Sequence, residues 1–331
     1  MMTVASMGVG SAGVAAGGAG AGAAPIRSVA IIGKGALGLM YADAITRALG
    51  PDAVRFVMDD VHYRRHEHDV VHVNGEERSF ASMRACDARP VDLVIVAVKS
   101  GALDEALDLM APLMGDATRV LSLLNGITSE ERIAARYGWE RLPICVAQGM
   151  DAVRTGSDLT YSKMGQLRFG VASQGTDPTV VSEVATFLES AGIPHVVEAD
   201  VLHRLWAKFM LNVGVNQACM VFGGTYGSVS DQAGEQFRVF VSAMREVVAV
   251  ANAEGIILTE DDLAGMVGLI ATLDPEGMPS MAQDRLAGRP SEVAEFSGAL
   301  IERAERHGIL VPMNRWLNAR IHEIEATYGA C

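Results

Sequence analysis

The spacing of apolar residues along the chain changes near residue 198. Before this point, short continuous apolar runs alternate with stretches of helical periodicity, which is typical of buried parallel strands joined by helices. The predicted strands cover residues 28–32, 53–58, 92–98, 119–124, 144–147 and 195–197. The predicted helices cover residues 36–49, 102–110, 129–136 and 178–191. The stretch 151–172 is typical of an antiparallel hairpin region.

Beyond residue 198 the strand signals vanish. Predicted helices cover residues 200–222, 231–254, 260–272, 291–307 and 313–327. The sequence thus predicts an α/β N-terminal domain with a Rossmann-type, doubly wound sheet over 26–198, and an all-α C-terminal domain over 199–331. Residues 1–25 carry mostly small side chains that cannot build a core, so they are predicted to be a disordered Gly/Ala-rich tail.

A polar stripe interrupts the apolar helix predicted over residues 200–222. Lys208, Asn212 and Asn216 follow one another at four-residue steps, which places their side chains on one helix face. An ammonium and two amides in apolar surroundings need partners, so the stripe is either a buried polar network or the wall of a polar site. A lysine in such surroundings has a lowered pKa, which suits it to proton transfer.

A glycine-rich turn joins the first predicted strand to the first predicted helix. It has the G-x-G-x-x-G spacing, and its residues are Gly33, Lys34, Gly35, Ala36, Leu37 and Gly38. The first glycine allows a tight turn, the second lets the backbone approach a pyrophosphate, and the third permits close packing of helix on strand. The loop predicts a dinucleotide-binding site, and the alternative is a glycine-rich turn that binds nothing.

Polar residues follow three predicted strands at the edge where open α/β sheets bind ligands. Asp59 follows the second strand, where an acidic side chain bonds the 2′-hydroxyl of NAD and repels the 2′-phosphate of NADP. Arg64 and Arg65 come soon after and could bind that phosphate, and the acid alternatively only caps the next turn. Lys99 and Asn125 follow two later strands and are predicted to face the cofactor, although each also suits an ordinary turn.

Composition narrows the class of protein. The chain of 331 residues is 50% hydrophobic and 20% charged, as expected of a globular protein with two domains. With a net charge of -13 and no long basic run, nucleic acid is not an expected partner. No apolar run is long enough to predict a membrane span.

The thiols and imidazoles do not predict a metal centre. The cysteines fit no zinc spacing and are expected to be reduced, mostly buried thiols of a cytoplasmic protein, with the last one exposed. They are Cys86, Cys145, Cys219 and Cys331. Four histidines lie close together, but no single regular element aligns them all, so a polar surface connection is predicted in preference to a metal site. They are His62, His66, His68 and His72.

Together these motifs resemble the ketopantoate reductase (2-dehydropantoate 2-reductase) family over residues 26–314. Agreement of several motifs in the right order is more specific than the glycine-rich loop alone. The matching segments are Gly33–Gly38, Val98-Lys99, Asn125-Gly126, the Trp206, Lys208, Asn212 and Asn216 series, Ser280–Asp284 and Ser291–Ala294.

The resemblance implies reduction of 2-dehydropantoate to (R)-pantoate by a nicotinamide cofactor, a step of pantothenate biosynthesis. It implies that Lys208 is the general acid and that Glu292 lies near the reaction centre and the cofactor ribose. Further cofactor contacts are implied for the loop, Lys99, Asn125 and Ala152, and substrate contacts for Asn212, Asn216 and Ser280. Tyr226, in the glycine-rich turn after the catalytic helix, is also predicted to border a substrate site between the two domains.

Two positions depart from the family pattern. Many members have an arginine for the 2′-phosphate of NADPH where this chain has Asp59, so the resemblance implies NADPH while the residue favours NADH. Ala294 stands where the family often has aspartate. Two alternatives stay open, a reductase of another branched 2-oxo acid and a dinucleotide-binding sensor without turnover, although a sensor needs no proton donor. The sequence does not fix the oligomeric state, and a homodimer is compatible with it.

Overall fold

The computed structural model describes residues 25–172 and 175–328, so residues 1–24 of the predicted tail lie outside the described residues, as does Cys331. The strands are β1 (Val29–Ile32), β2 (Val54–Met58), β3 (Val70–Val73), β4 (Glu76–Ser79), β5 (Ser82–Arg84), β6 (Leu93–Val96), β7 (Arg119–Ser122), β8 (Ile144–Met150), β9 (Val153–Thr155), β10 (Asp158–Thr160), β11 (Met164–Gly170) and β12 (His195–Val197). The helices are α1 (Ala36–Leu49), α2 (Asp60–His66), α3 (Leu103–Met110), α4 (Ser129–Tyr137), α5 (Pro178–Ser190), α6 (Val201–Phe222), α7 (Tyr226–Ser230), α8 (Glu235–Ala253), α9 (Glu260–Ala271), α10 (Ser280–Leu286), α11 (Ala299–His307) and α12 (Pro312–Glu325).

The first domain is built on a parallel five-stranded sheet with the order β5-β2-β1-β6-β7. Alternate residues of β1 face opposite sides of this sheet. Val29 and Ile31 pack in a core with residues of α1 and α5, whereas Ala30 and Ile32 pack with residues of α3 and α4. Helices cover both faces, which explains why the strands are apolar almost without interruption. The predicted Rossmann-type, doubly wound sheet is confirmed.

Two smaller sheets complete this domain. One has the order β4-β3-β10-β9, and the other has the order β12-β11-β8. The region predicted as antiparallel, residues 151–172, contains the β9–β10 hairpin, and its last strand, β11, runs antiparallel to β8. The second of these sheets brings β8 beside the helical domain, where α6 packs against it.

The second domain is built around α6. Helices α8, α10 and α12 pack on this helix, whose own buried residues are apolar on nearly every side. A helix that is apolar all round is expected at the centre of a bundle. Among the described residues no strand follows β12, so the all-α character predicted for the C-terminal part is confirmed.

The segment 60–84 differs from its prediction. The connection predicted around the histidines is wrong in its conformation, because α2 and β3 form there. Asp59 caps α2 by accepting hydrogen bonds from Val61 N and His62 N at 2.7 and 2.8 Å. Strand β3 pairs with β4 and with the distant β10, so these strands depend on pairing partners more than on their own apolar pattern.

Three further boundaries need correction. The helix predicted over 291–307 starts with a π-helical turn, Ala294–Gly298, in which Gly298 N donates to Val293 O before α11 begins. The helix predicted over 231–254 starts at Glu235. Tyr226 lies in the short helix α7, which has its own capping box, and not in a simple turn.

Within 25–172 and 175–328, no helix is both long and apolar enough to cross a membrane.

Candidate active site

The glycine-rich loop is shaped by the atoms around it. Gly33 has a φ of 111°, and a Cβ there would lie 2.4 Å from Ala97 O. A Cβ on Gly38 would lie 2.0 Å from Gly33 O. A Cβ on Gly35 would lie 3.9 Å from Ala97 O, the nearest atom outside the neighbouring residues of the chain. Helix α1 begins at Ala36 without a side-chain cap, which leaves the N–H groups of its first turn for a ligand. The open space and these donors fit the pyrophosphate of a dinucleotide.

A cavity of about 280 Å³ lies beside the loop, at the ends of β1 and β2. Its polar lining consists of Lys34, Asp59, His62, His66, Glu105 and Arg154. Arg64 and Arg65 are exposed and do not line it. Arg154, which the sequence reasoning missed, donates to Lys34 O and, at 2.9 Å, to Gly156 O. Its position in the hairpin, two residues after Ala152, was the only sequence signal for it.

Two predicted cofactor residues are already engaged within the protein. One carboxylate oxygen of Asp59 caps α2 and the other faces His62 Nδ1. Partial burial acts to raise the pKa of Asp59, but hydrogen bonds from His62 and Val61 outweigh it and hold the pKa below its ordinary value. The ammonium of Lys34 donates to His66 O at 3.1 Å, and burial lowers its pKa.

Lys208 reaches from α6 into the first domain. Its Nζ donates to Asn125 Oδ1 at 2.9 Å and to Ala147 O at 2.6 Å. Burial lowers the pKa of Lys208 to about 8, against the opposing influence of nearby acidic groups. The third N–H of the ammonium has no acceptor within 25–172 and 175–328. The carbonyl of Ala147 was missed by the sequence reasoning, because every residue carries a carbonyl and no side-chain pattern marks this one.

Asn125 connects Lys208 to Glu292. Its Nδ2 donates to Glu292 Oε2 at 3.1 Å, while its Oδ1 accepts from the lysine. Glu292 is 9% exposed. Burial raises the pKa of Glu292, and the hydrogen bond from Asn125 and the charges of Lys99 and Lys208 oppose that shift. The amide therefore holds an ammonium and a carboxylate on its two ends at the boundary between the domains.

The remaining members of the polar stripe form a small network. Asn216 Nδ2 donates to Asn212 Oδ1 at 3.2 Å. Asn216 Oδ1 accepts from Ser280 Oγ at 3.1 Å and from Met281 N at 3.3 Å, at the start of α10. Asn216 is 5% exposed and serves to join α6 to α10, whereas the Nδ2 of Asn212 has no acceptor among the described residues. The stripe is thus a structural network around Asn216, with an unused side-chain donor on Asn212 among the described residues.

Lys99 pairs across the boundary with Asp284. Its Nζ lies 2.9 and 3.0 Å from the two carboxylate oxygens, and Arg289 also donates to Asp284 at 3.0 Å. The Lys99 side chain is 59% exposed, so its ammonium stays accessible to a ligand while Asp284 is buried. The sequence resemblance included Asp284 but gave it no role.

Tyr226 and Ala152 lie at the edges of this arrangement. Tyr226 is half-buried and packs on the core of the helical domain, and its backbone N–H donates to Gly277 O at 2.9 Å. Burial raises the pKa of its hydroxyl. Ala152 packs on the same core as Ala36 and Leu37 of the glycine-rich loop. In the part of the chain described, the hydroxyl of Tyr226 makes no hydrogen bond to Lys208, Asn125 or Glu292. The methyl group of Ala152 can offer only a packing contact.

The arrangement combines a dinucleotide-type loop with a buried lysine at the boundary between the domains. The carboxyl edge of the parallel sheet contributes Lys99 and Asn125, and strand β8 of the three-stranded sheet contributes Ala147 O. The helical domain contributes Lys208 and Glu292. A lysine whose pKa is lowered to about 8 is suited to general acid catalysis beside a bound cofactor. Among the described residues, no group of three His, Cys, Asp or Glu side chains is arranged to hold a metal ion.

The chain is similar to known proteins over most of its length. Residues 29–174 match the family described as ketopantoate reductase PanE/ApbA, and residues 200–325 match ketopantoate reductase PanE/ApbA C terminal. A 2-dehydropantoate 2-reductase from Caulobacter vibrioides is 29% identical over 300 residues, which cover 89% of this chain and 98% of that protein.

Solved structures agree with this similarity. A PanE/ApbA family ketopantoate reductase from Ralstonia eutropha JMP134 superposes with a TM-score of 0.76 and is 28% identical, covering 91% of this chain and 99% of the other. D-mandelate dehydrogenase with NADH and anilino(oxo)acetate has a TM-score of 0.80 at 20% identity, again covering 91% and 99%, which shows a shared fold. The chain belongs to the ketopantoate reductase family and is an oxidoreductase of that type.

Proposed function

We propose that the protein reduces 2-dehydropantoate to (R)-pantoate, as a step of pantothenate biosynthesis, with Lys208 as the general acid. The observation that carries this proposal is the position of the Lys208 ammonium. It lies at the boundary between the domains, held by Asn125 and Ala147 O, with one N–H left for a ligand. Membership of the ketopantoate reductase family supports the choice of substrate.

The chemistry asked of Lys208 follows from the reaction. A bound nicotinamide supplies the hydride that turns the ketone carbon of a 2-oxo acid into an alcohol carbon. The carbonyl oxygen gains negative charge in this step, and a cationic ammonium stabilises that charge before its proton moves. A well-placed general acid contributes roughly 10²–10⁴-fold in rate. Asn125 and Ala147 O orient the ammonium so that its remaining N–H faces the substrate.

Other polar groups at the boundary are suited to the rest of the substrate. The Nδ2 of Asn212 is a donor for a substrate oxygen, because Asn212 uses only its Oδ1 within the described residues. Glu292 is an acceptor for a hydroxyl of the substrate or of the cofactor ribose. A buried carboxylate without a hydroxyl partner is unfavourable, so an analogue that lacks the hydroxyl would be rejected.

For the cofactor we propose NADH as the preferred donor. Asp59 lines the cavity in which the adenosine end of a dinucleotide would lie, and its carboxylate would repel a 2′-phosphate. Arg64 and Arg65 do not line that cavity. The guanidinium of Arg154 does, although it is already bonded to two backbone carbonyls.

Steady-state kinetics test both choices together. The purified enzyme is assayed with 2-dehydropantoate and with 3,3-dimethyl-2-oxobutanoate, which differs only by lacking the hydroxyl, each with NADH and with NADPH. We expect kcat/KM for 2-dehydropantoate to exceed that for the analogue by about 10²-fold or more. Equal values would contradict the substrate assignment, and a strong NADPH preference would contradict the role given to Asp59.

A second substrate class enters the same assay. The fold shared with D-mandelate dehydrogenase supports reduction of an aryl 2-oxo acid as the competing function. Phenylglyoxylate is therefore the third substrate. A kcat/KM for phenylglyoxylate above that for 2-dehydropantoate would favour the competing function. Failure to oxidise either cofactor with any 2-oxo acid would favour a non-catalytic dinucleotide sensor.

A further inference from the structure

Glu130 is a buried carboxyl that the reaction as described does not use. It is the second residue of α4 and is 2% exposed. Its Oε2 accepts from Ser129 Oγ at 2.7 Å, and its Oε1 accepts from Cys145 N at 3.2 Å. Within 25–172 and 175–328, no lysine, arginine or histidine forms an ion pair with it. Burial of a carboxyl costs free energy unless hydrogen bonds or opposite charges compensate for the lost water.

The hydrogen bond from Cys145 N to Glu130 joins the two segments that hold Lys208. Glu130 lies five residues after Asn125, whose Oδ1 accepts from the lysine. Cys145 lies two residues before Ala147 on β8, and Ala147 O is the other acceptor of the lysine. The bond between Glu130 and Cys145 N therefore fixes the start of α4 relative to β8, and with it the spacing of both acceptors.

Glu130 also contributes to the charge around Lys208. The ionisable groups that face the lysine are Cys145, Glu292 and Glu130. Each of them favours the protonated form of Lys208. The ionisable groups that face Glu130 are Lys208 on α6, Cys145 on β8 and Glu131 on α4 itself. Glu254 and Arg303 line the same cavity as Glu130. Burial raises the pKa of Glu130, while the hydrogen bonds from Ser129 and Cys145 N oppose this and favour the carboxylate.

We propose that Glu130 is a positioning residue for Lys208. The Glu130 side chain fixes the two acceptors of the Lys208 ammonium and places a negative charge near that ammonium. The proposal rests on the proposed function of Lys208 as the proton donor. It separates two effects of Glu130, the geometric one through Cys145 N and the electrostatic one on the lysine. A side chain with only a structural role would have the first effect and not the second.

The test measures the titration of Lys208 directly. The ammonium of Lys208 is followed by heteronuclear NMR in the substrate-free protein, with Lys208→Arg used to assign the signal. In Glu130→Gln, which keeps the shape and removes the charge, we expect the titration midpoint to fall by on the order of one pH unit. The basic limb of the pH profile of kcat/KM should move by the same amount. Unchanged midpoints in a folded Glu130→Gln protein would overturn the proposal.

Two further variants keep the test sharp. Glu131→Gln is the matched control. Glu131 is the next residue on the same helix, but it forms an ion pair with Arg303 and is not among the groups that face Lys208. Its midpoint should stay within about 0.3 pH unit of the wild type. Glu130→Asp retains the charge but shortens the reach to Cys145 N, so it should keep the midpoint and lower kcat. A midpoint in Glu130→Asp as low as that expected for Glu130→Gln would overturn the electrostatic role, even if Glu130→Gln does not fold.

The failure of this proposal is distinguishable from failure of the proposed function. The NMR midpoint is read without substrate and does not depend on turnover. If Lys208→Ala retains activity, the proton-donor assignment fails whatever the midpoint of Glu130→Gln. If Lys208→Ala is inactive and the midpoint does not move, only the role of Glu130 fails.

Discussion

The side-chain oxygen of Asn125 accepts a hydrogen bond from the ammonium of Lys208 at 2.9 Å, across the boundary between the two domains. The contact joins a loop at the carboxyl edge of the parallel sheet to the central helix of the C-terminal domain. Neither domain alone supplies both the acceptor and the donor. The arrangement of Lys208 and Asn125 therefore depends on how the two domains pack.

Asn125→Ala should lower kcat by about 10–100-fold, because it removes hydrogen bonds to two charged groups, each worth about 1.5–3 kcal/mol. The affinity for cofactor should change less, since the glycine-rich loop is untouched. Steady-state kinetics with saturating cofactor provide the measurement. Asn252→Ala is the control, because that amide donates to Val248 O and Leu258 O within the helical domain. A similar loss in both variants would show that the effect is only structural.

The rate of reduction should decline as the pH rises through about 8, the pKa to which burial lowers that of Lys208. Below this pH the ammonium carries the proton it must donate, and above it the proton is lost. We expect kcat/KM to drop about tenfold per pH unit on the basic side. Lys208→Arg should lose this dependence, because a guanidinium stays protonated throughout the range. A profile that is flat up to pH 10 would rule out a titrating lysine.

The two glycines of the loop should respond differently to alanine. In Gly38→Ala the new Cβ would lie 2.0 Å from Gly33 O, so the loop must shift and the melting temperature should fall by several degrees. In Gly35→Ala the nearest atom is 3.9 Å away, so the melting temperature should stay within about 2 °C of the wild type. Its Cβ would occupy the space for the pyrophosphate, and we expect about tenfold weaker binding of NADH by calorimetry. Undiminished binding by Gly35→Ala would place the pyrophosphate elsewhere.

Asp59→Asn should raise the affinity for NADPH relative to NADH, because it removes the negative charge and keeps an oxygen to cap α2. We expect the ratio of the two dissociation constants to change by about tenfold in favour of NADPH. Asp60→Asn is the matched control, since Asp60 is exposed and does not line the cavity. If both variants shift the ratio equally, the discrimination comes from overall charge and not from Asp59.

The fold could be predicted where the chain carries its own periodic signal. The strands of the parallel sheet and helix α6 are strongly apolar, and their positions follow from the sequence within a few residues. The segment from α2 to β5 was not predicted, because α2 buries no residue and β4 is polar throughout. These elements are held by a cap at Asp59 and by pairing with β10, and such long-range pairing is not visible in a local pattern.

The site was predictable to a similar extent. The spacing of Lys208, Asn212 and Asn216 marked one helix face, and the structure indeed places Lys208 at the domain boundary. The sequence did not predict which partner each of these three side chains contacts. Asn216 is directed to α10, and the second acceptor of the lysine is a backbone carbonyl, so both facts depend on which segments meet in space.

Replacement of Lys208 by alanine tests the central claim most directly. The measurement combines kcat for reduction of 2-dehydropantoate with the dissociation constant of NADH for the same protein. If Lys208 donates the proton, kcat falls by roughly 10²–10⁴-fold while the dissociation constant stays within about threefold of the wild type. A Lys208→Ala enzyme that keeps near-normal kcat would contradict the account.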